Sequence, residues 1–384
     1  MRASGLAFAL FILRSRFAVK LSQRQRVHRA AGSKADESVD TRAHVLVLDP
    51  ASPEIKELGS GGYQVTTAHG MSNDELEQVL PAYDAVVVRS ANRITRSMLV
   101  SSPRVAIVGR AGSGVDNIDL DAASELGVAV VNAPTGNAGS VAELVVGLML
   151  GVSRSIPSAH DTMRDGKWVK KNFVGRTLNG QTLGIVGFGS VGQALARLAT
   201  AFGMVVIIAE GSRHESGRRG SSKAAAAREA GVTLPPLPLD VLLPKCDFLS
   251  LHCPLTADTR GLISGRELTL MKPSAVVVNA ARGGVVDERA LLQSLVEGRL
   301  GGAALDVFDH EKLPLQDHVV SLCRLPNVLC TPHIGGATEE AGERVLSEVC
   351  AAIVDFLEGS LPPSRIINGS PDPDIRLARL KGTY

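Results

Sequence analysis

The sequence predicts an α/β protein with parallel sheets, built from two similar domains. Short runs rich in Val, Ile and Leu alternate with helical or turn segments along most of the 384 residues. Only 3% of the residues are aromatic while 45% are hydrophobic, so the core must be aliphatic, as in parallel sheets. At residues 182–202 one apolar run leads through a glycine-rich turn directly into a helix-forming segment.

Net charge and cysteine spacing argue against a nucleic-acid-binding protein and against a zinc site. The formal net charge is +2, from 41 basic and 39 acidic residues, which is not the charge of a nucleic-acid-binding protein. The five cysteines, at positions 246, 253, 323, 330 and 350, show no Cys-x-x-Cys or zinc-ligand spacing. We therefore expect no metal site, and a reducing compartment.

The first 35 residues are basic, contain serine and include no acidic residue. This composition is typical of a transit peptide and predicts an organelle location, in a plastid or a mitochondrion. The apolar run at 6–13 is far too short to span a bilayer, and we expect no membrane segment elsewhere. The run could also belong to a secretory signal that leads into a plastid with extra membranes. The remaining alternative is a disordered extension of a cytoplasmic protein.

The folded part is predicted to begin near His44. Five β-rich runs follow, at 44–48, 63–68, 84–88, 104–108 and 128–132. Their alternation with helical or turn segments predicts a parallel sheet covered by helices. An apolar segment at 139–154 predicts a buried helix that links this first unit to the next.

The glycine-rich turn predicts a dinucleotide site. Gly187, Gly189 and Gly192 follow an apolar run with the spacing G-x-G-x-x-G, and a helix-forming stretch comes next. The first glycine permits the tight turn, the second lets the backbone approach a pyrophosphate, and the third allows close helix–strand packing. A second apolar run ends at Glu210, where an acidic side chain binds the ribose diol of a dinucleotide. A glycine-rich turn of some other α/β unit is the alternative, and the intact flanks favour the dinucleotide.

Further strands of the same sheet are predicted at 246–251, 275–280, 302–307 and 327–332. Between them and Glu210, the segment 211–230 contains an alanine run that predicts either a helix or a surface loop. An amphipathic pattern at 339–357 predicts a helix that returns the chain to the first unit. The tail after Gly359 holds four prolines and is predicted to be unstructured.

Chemically useful side chains follow three of these strands. Arg282, then Asp306 and Glu311, and finally His333 come at successive strand ends, and ligands of open α/β sheets bind outside those ends. A guanidinium can hold the carboxylate and keto oxygen of a 2-keto acid. An imidazole can exchange the hydroxyl proton, and a carboxylate bonded to it favours its charged form. Each residue alone is equally a surface charge or an ordinary hydrogen-bonding group, but together they indicate hydride transfer to a 2-keto acid.

Four further motifs resemble those of a known family. With the glycine-rich turn, the segments GRAGSGVDNID (109–119), NAARGGVVDE (279–288), LDVF-x-x-E (305–311) and TPHIGG (331–336) closely resemble the D-isomer-specific 2-hydroxyacid dehydrogenases. The resemblance covers roughly residues 44–357. It implies an NAD-dependent enzyme with two Rossmann-like or flavodoxin-like domains. Within the family it is greatest to members that oxidise 3-phosphoglycerate to 3-phosphohydroxypyruvate, the entry to serine synthesis.

The resemblance implies a role for each candidate residue. In catalysis His333 is the acid and base, Glu311 orients it, and Arg282 binds the substrate. Cofactor contacts are implied for Gly187, Gly189, Ser190, Val191, Gly192, Glu210, Cys253, Pro254, Thr259, Ala280, Ala281, Arg282, Asp306, His333, Gly335 and Gly336. Substrate contacts are implied for Arg89, Ser90, Arg110, Ser113, Gly114 and Asn137. For Arg89 and Arg110, matched to an acidic substrate, ordinary surface salt bridges are the alternative.

Several positions depart from the family pattern. Glu210 stands where Asp followed by Pro is usual; it still repels a 2′-phosphate and favours NAD over NADP, a preference that Arg213 weakens. Cys253 and Ser190 replace a frequent Thr and a frequent Arg, and Lys312 replaces a Pro. The segment after residue 360 is too short for the C-terminal regulatory domain of many relatives, so feedback control by serine through such a domain is not expected.

We therefore expect a leader at 1–42 and a substrate domain at 43–139 plus 340–360. An NAD-binding domain at 140–339 is inserted in it, and a disordered tail follows at 361–384. The expected partner is a small phosphorylated 2-hydroxy acid, and the resemblance implies a homodimer or homotetramer. Hydroxypyruvate or glyoxylate are alternative substrates. A dinucleotide-sensing protein, like the transcriptional co-repressors that share this fold, is an alternative of another class; a transit peptide argues against it.

Overall fold

The computed structural model of the protein describes residues 43–49, 53–210, 220–232 and 235–369. The predicted leader at 1–42, Arg213 and the tail from residue 370 lie outside these ranges. The chain divides into two compact units. The first contains the chain up to Gly109, Asn117–Val130 and the chain from Cys350; the second contains Arg110–Asp116 and Val131–Val349. The assignment of a substrate domain and a nucleotide domain stays a prediction.

The first unit is built on a five-stranded sheet with the order β2-β1-β3-β4-β5. Its strands are His44–Val47 (β1), Gln64–Thr67 (β2), Ala85–Val88 (β3), Ile107–Arg110 (β4) and Ala129–Asn132 (β5). β1 pairs in parallel with β2 and with β3, so that Val45 lies opposite both Val65 and Ala85. All four residues of β3 are buried. Burial on both faces explains why this run is continuously apolar rather than alternating.

Four helices accompany these strands: Pro53–Ser60 (α1), Asn73–Val79 (α2), Arg96–Ser101 (α3) and Leu120–Glu125 (α4). Capping side chains determine where three of them begin. Ser72 and Glu75 form a reciprocal capping box at α2, while Thr95 and Asp119 accept backbone amides in the first turns of α3 and α4. Such caps satisfy amide groups that have no partner inside the helix.

The second unit is built on a six-stranded sheet with the order β11-β10-β9-β8-β6-β7. Its strands are Thr182–Val186 (β6), Val205–Ile208 (β7), Phe248–Leu251 (β8), Val276–Asn279 (β9), Gly302–Leu305 (β10) and Val328–Cys330 (β11). All their pairings are parallel. The chain moves from β6 out to β7 and then crosses to β8 on the other side of β6. The strand order therefore reverses between β6 and β8, and this crevice is where open α/β sheets bind ligands.

Helices cover both faces of this second sheet. They are Ala138–Ser153 (α5), Ile156–Arg164 (α6), Ser190–Ala201 (α7), Gly220–Glu229 (α8), Leu239–Leu242 (α9), Gly265–Leu270 (α10), Glu288–Val296 (α11) and Asp317–Arg324 (α12). Leu183 and Ile185 of β6 belong to one core cluster, with residues of α5 and α7, whereas Val186 belongs to the opposite cluster. The α/β fold with two parallel sheets is confirmed.

The helix predictions are also confirmed. The apolar segment forms α5, with its bounds one residue earlier than predicted, and eight of its residues are buried. A Cβ at Gly151 would lie 2.7 Å from a methyl group of Leu329, so α5 approaches β11 closely because this position has no side chain. Glu339–Leu357 forms the last α-helix of the described residues (α13). The alanine run adopts the helical alternative, as α8.

The tail is ordered further than predicted. Leu361 and Ile366 are buried, the amide of Ile367 donates to the carbonyl of Val130 at 2.9 Å, and Asn368 accepts the amide of Val130 at 3.0 Å. The expectation of disorder after Gly359 is therefore wrong for 361–369. Pro363 begins a short 3₁₀ helix, Pro363–Arg365, and the residues after that helix bond to β5.

Features of a membrane span or of a metal site are scarce among the described residues. No single helix has the length and apolar character to cross a membrane, although α5 and α6, bent by 65°, satisfy those criteria as a pair. Within the same residues, no cluster of three or more His, Cys, Asp or Glu side chains could hold a metal ion.

Candidate active site

The glycine-rich turn forms directly after β6. Gly187 has a φ of 94°, a value that favours glycine, and a Cβ there would lie 2.5 Å from the backbone of His252. A Cβ at Gly192 would lie 2.3 Å from the carbonyl oxygen of Gly187, so only glycine lets α7 pack this close to β6. A Cβ at Gly189, by contrast, would meet no described atom within 4 Å. The turn thus leaves open space at the start of α7, which fits a pyrophosphate.

The start of α7 suits the pyrophosphate of a dinucleotide, and the end of β7 suits its adenine ribose. The helix begins at Ser190, and the amides of Ser190, Val191 and Gly192 have no partner within the helix. Such amides, together with the helix dipole, attract a phosphate anion. Glu210 follows β7, its backbone amide bonded to the Leu237 carbonyl at 2.8 Å and its side chain exposed. A fixed backbone with an exposed carboxylate suits a ribose diol.

The loop after β8 lies beside the glycine-rich turn, since a Cβ at Gly187 would be 2.7 Å from the amide nitrogen of Cys253. His252 Nε2 lies 2.8 Å from a serine hydroxyl of β8, and burial lowers the pKa of His252 to about 4, so its ring is neutral. Thr259 Oγ1 donates to the carbonyl of Pro254 at 2.6 Å, which closes the loop. The structure therefore places the backbone of Cys253 beside the glycine-rich turn, and cofactor contact by Cys253 and Pro254 stays a prediction.

His333 and Glu311 are joined by a hydrogen bond. The distance from His333 Nδ1 to Glu311 Oε2 is 2.7 Å, and each side chain is about two-fifths exposed. This bond raises the pKa of His333; burial opposes the rise, the charges of Glu311 and Asp306 add to it, and the charge of Arg282 opposes it. The imidazole therefore stays protonated to a higher pH than a free histidine. Because Nδ1 is engaged, Nε2 is the atom that can exchange a proton with a ligand.

Glu311 itself is held as a carboxylate. Burial raises its pKa, but the hydrogen bond and charge of His333, the Phe308 amide and the charge of Arg282 together shift the pKa below its ordinary value. The Phe308 amide donates to Oε1 at 3.3 Å, opposite the oxygen that meets His333. The pair is therefore a carboxylate–imidazolium ion pair whenever His333 carries its second proton.

Asp306 organises the loop that carries His333. Its carboxylate is 1% exposed and accepts three hydrogen bonds, from the Thr331 hydroxyl at 2.6 Å and from the amides of Ile334 and Gly335 at 2.8 Å each. His333 adopts a positive φ of 54°, which a residue other than glycine adopts only when its surroundings hold it there. Asp306 thus acts on the position of His333 through the backbone.

Arg282 follows β9 and lies against a second glycine. Its Nε donates to Asp116 Oδ2 at 2.8 Å, and its Nη1 donates to the carbonyl of Ala281 at 2.6 Å. A Cβ at Gly114 would lie only 1.6 Å from Nη2, so the guanidinium occupies the place of a side chain there. The buried amide of Asn279 accepts the Ala281 N–H and donates to the Arg282 carbonyl. These hydrogen bonds hold the backbone of the turn from Ala280 to Arg282, and the bonds to Asp116 and Ala281 orient the guanidinium.

The segment Arg110–Asp116 is tied to the start of α5. Ser113 Oγ donates to Asn137 Oδ1 at 2.7 Å, and the side-chain amide of Asn132 donates to the carbonyl of Ser113. A Cβ at Gly336 would lie 3.1 Å from Asn137 Nδ2, so the loop after His333 reaches the same place. The second unit therefore gathers the catalytic candidates together with Ser113, Gly114 and Asn137.

The two predicted basic substrate residues differ in their surroundings. Arg110, in the second unit, folds back so that Nη1 donates to the carbonyl of Ala111 at 3.1 Å. Arg89, in the first unit, forms an ion pair with the nearly buried Asp49, and Ser90 beside it is exposed. The salt-bridge alternative is thus present at Arg89, and substrate contact by either arginine stays a prediction.

Two polar residues of the site were missed by sequence reasoning. Asp116 lies within the motif at 109–119, and Asn279 ends β9. Both belong to motifs of the family, but the sequence predicted no role for either. The partner of Arg282 lies 166 residues away along the chain, and no local pattern could reveal it. Asn279 offered a signal, because an amide that interrupts an apolar strand at its carboxyl end often closes the following turn.

Known proteins match this chain in sequence over most of its length. The family model "D-isomer specific 2-hydroxyacid dehydrogenase, NAD binding domain" matches residues 146–335. The D-3-phosphoglycerate dehydrogenase of Methanocaldococcus jannaschii is 40% identical over 338 residues, which are 88% of this chain and 62% of the relative. The hydroxypyruvate reductase of Thermotoga maritima is 40% identical over 314 residues, which are 81% of this chain and 97% of the relative. The chain spans about three-fifths of the length of the phosphoglycerate dehydrogenases it matches.

A solved structure shows the same architecture. D-lactate dehydrogenase from Aquifex aeolicus, complexed with NAD and lactic acid, has a TM-score of 0.73 at 26% identity, over 85% of this chain and 99% of that one. The glycine-rich turn at a strand switch point, the His333–Glu311 pair and Arg282 thus lie in a chain that shares both sequence and fold with these enzymes. The chain belongs to the D-isomer specific 2-hydroxyacid dehydrogenase family and carries its NAD-binding domain.

Proposed function

We propose that this protein is an NAD-dependent dehydrogenase that oxidises 3-phosphoglycerate to 3-phosphohydroxypyruvate and catalyses the reverse reduction. The observation that carries the proposal is the His333–Glu311 pair, at 2.7 Å, in one unit with Arg282 and the glycine-rich turn. The choice of substrate is supported by the relatives named D-3-phosphoglycerate dehydrogenase at 40% to 41% identity.

His333 supplies the proton chemistry. In reduction the protonated imidazole gives a proton from Nε2 to the C2 oxygen of the keto acid, and in oxidation the neutral ring removes it from the hydroxyl. Glu311 stabilises the protonated ring and fixes which nitrogen faces the substrate. NAD, when bound, accepts the hydride in oxidation and, as NADH, donates it in reduction.

Arg282 holds the substrate for this proton transfer. A guanidinium binds the C1 carboxylate and the C2 oxygen as a planar fork, and its charge stabilises negative charge that develops on the oxygen. Asp116 restricts the side chain to one orientation at Nε, which leaves the outer nitrogen Nη2 toward Gly114. The Gly114 backbone lies close enough for the substrate carboxylate to contact both groups.

Hydroxypyruvate reduction is the second candidate. The Thermotoga maritima relative of that name is matched along 97% of its length, whereas the phosphoglycerate dehydrogenases are matched over about three-fifths. The relatives named D-3-phosphoglycerate dehydrogenase, at 40% to 41% identity, favour the phosphorylated acid instead.

A substrate panel separates these candidates. The protein is assayed by NADH absorbance with 3-phosphohydroxypyruvate, hydroxypyruvate and glyoxylate, each with NADH and with NADPH. We expect the highest kcat/KM with the phosphorylated acid and NADH. Preference for hydroxypyruvate or glyoxylate would retain the site and replace the substrate. No turnover with any acid despite bound NADH would favour the dinucleotide-sensing alternative.

The Glu311 carboxylate should set the pH range of the reaction. In Glu311→Gln the amide can still accept the Nδ1 hydrogen bond, but the charge that raises the pKa of His333 is lost. The pKa of His333 then falls, so the ring loses its second proton at a lower pH than in the unaltered protein. We expect the alkaline limb of the kcat/KM profile for keto-acid reduction to move to lower pH. A profile with an unmoved alkaline limb would contradict this role.

We also propose that the protein is a homo-oligomer. α6 has no buried residue, and beyond it Trp168 and Val174 are 81% and 90% exposed. Apolar and aromatic side chains that are grouped on an exposed segment are typical of protein–protein interaction sites. Light scattering coupled to size-exclusion chromatography should give a molar mass of at least twice 40.3 kDa. The substitution Trp168→Glu should lower that molar mass. A monomer for the unaltered protein would refute the proposal.

A further inference from the structure

The loop that carries Glu311 is held by two neighbouring amides with different acceptors. It connects β10 to α12. The Phe308 amide donates to Glu311 itself at 3.3 Å, whereas the next amide, that of Asp309, donates to Oε1 of Glu288 at 2.7 Å. The shorter of the two bonds therefore leads away from the catalytic pair and into α11.

Glu288 is a buried carboxylate that the helix does not need. It is 7% exposed, and burial of a carboxylate is costly unless hydrogen bonds compensate for it. It stands in the first turn of α11, but Asp287 already caps that helix by accepting the amides of Arg289 and Ala290. Its second oxygen, Oε2, accepts from His318 Nε2 at 2.9 Å, and His318 is 9% exposed. Both oxygens of Glu288 are therefore used between α11, the Glu311 loop and α12.

The same loop rests on the residue after Arg282. A Cβ at Gly283 would lie 1.9 Å from the carbonyl oxygen of Phe308 and 2.4 Å from the amide nitrogen of Asp309. The peptide between Phe308 and Asp309 is thus enclosed by the Gly283 backbone on one side and bonded to the Glu288 carboxylate. The segment from Arg282 to Glu288 begins with one catalytic candidate, Arg282. At its other end, Glu288 bonds to the loop that carries another candidate, Glu311.

We propose that Glu288 is a positioning residue: its carboxylate, bonded to the Asp309 amide and to His318, holds the loop so that Glu311 meets His333. This proposal rests on the proposed dehydrogenase function for its kinetic consequences. Without the carboxylate, the Asp309 amide loses its acceptor and the loop gains freedom. Glu311 then meets His333 less often, and the bond that raises the pKa of His333 weakens.

Charged and titratable groups lie around both His333 and Glu288. Those that act on His333 are Glu311, Asp306 and Arg282. Those around Glu288 are His318, Asp287, Arg289, the Arg260–Asp309 ion pair and the thiol of Cys330. Glu288 bonds to the Asp309 amide and to His318, not to His333 or Glu311, so the geometry connects it to His333 through the loop.

The test compares three variants of the full chain. Glu288→Ala removes the acceptor, and Glu288→Gln keeps an oxygen for the Asp309 amide. Glu267→Ala is the matched control, because Glu267 is equally buried at 8% and also accepts a backbone amide at a helix start, away from the Glu311 loop. The pKa of His333 is measured by NMR titration of histidine-labelled protein, with the signal assigned through His333→Gln. Activity profiles against pH are measured in parallel.

We expect Glu288→Ala to lower the pKa of His333 and to reduce kcat about tenfold or more, with KM for NADH unchanged, as misplaced catalytic groups do. Glu288→Gln should restore most of both, and Glu267→Ala should change neither. An unchanged His333 pKa in folded Glu288→Ala, or an equal change in Glu267→Ala, would overturn the proposal. The NMR result requires no substrate, so an inactive wild-type protein would count against the proposed function and not against this inference.

Discussion

Replacement of His333 by glutamine should lower kcat by about 10²- to 10⁴-fold, the usual contribution of a positioned acid–base group. Glutamine retains the size and polarity of the side chain, but it cannot carry a proton between Glu311 and the substrate oxygen. NADH binding should persist, because the glycine-rich turn and Glu210 lie on other strands. Stopped-flow and steady-state assays measure the loss, and fluorescence of bound NADH measures the retained binding.

His310→Gln is the matched control for this substitution. His310 is exposed and neighbours Glu311 in the chain, so it shares the loop without sharing the hydrogen bond to the carboxylate. We expect wild-type kcat from this variant. A His333→Gln protein with an unchanged rate and pH profile would remove His333 from the mechanism.

Arg282→Ala should cost about 3 to 4 kcal/mol in transition-state binding, roughly 10²- to 10³-fold in kcat/KM, because two charge-assisted hydrogen bonds to substrate are lost. NADH binding should persist, because the glycine-rich turn is unaltered. Arg282→Lys should recover only part of the activity, since an ammonium cannot form the planar fork. Steady-state kinetics with the keto acid and calorimetric titration with NADH provide the two measurements.

Gly114→Ala separates the position of the guanidinium from its charge. The added methyl group would fall 1.6 Å from Nη2 of Arg282, so the arginine must move while its charge stays. We expect a loss in kcat/KM that approaches that of Arg282→Ala. Arg104→Ala, which breaks an exposed ion pair with Asp84 at 3.0 Å, should leave kinetics unchanged. Activity of Arg282→Ala within a few-fold of wild type would disprove the substrate-clamp role.

Much of the site could be predicted because parallel strands bring their carboxyl ends together. Arg282, Glu311 and His333 are spread over 52 residues, yet strand-end positions alone indicated that they act together. The glycine-rich turn could be predicted equally well, since Gly187 and Gly192 occupy positions where a side chain would collide with backbone atoms. These signals are local in the sequence and depend on backbone geometry that the fold class dictates.

Polar partners of these residues could not be predicted. Asp116 meets Arg282, and Asp49 meets Arg89, through contacts across distant segments. Such pairs depend on loop conformation, for which neither periodicity nor composition carries information. Glu288 was equally invisible, because a glutamate in the first turn of a helix looks like an ordinary response to the helix dipole. Only its burial separates it from that common case.

The failure at the tail has a different physical origin. The prolines at 362 and 363 were interpreted as disorder, but proline suits the first position of a helix, and Pro363–Arg365 form a short 3₁₀ helix. The segment around it packs because apolar side chains and hydrogen-bonding groups are available. Leu361 and Ile366 supply the apolar groups, and Asn368 uses its side-chain amide where a strand would use its backbone.

That packing has a consequence for aggregation. β5 is the last strand of its sheet, and an edge strand with free amides and carbonyls is a template for pairing with another chain. The amide and carbonyl of Val130 are instead occupied by Asn368 and Ile367, and the carbonyl of Val128 accepts the Asn368 side-chain amide. The segment 361–369 therefore covers this edge of the parallel sheet in the first unit. The occupied groups of β5 cannot pair with a sixth strand from a neighbouring molecule.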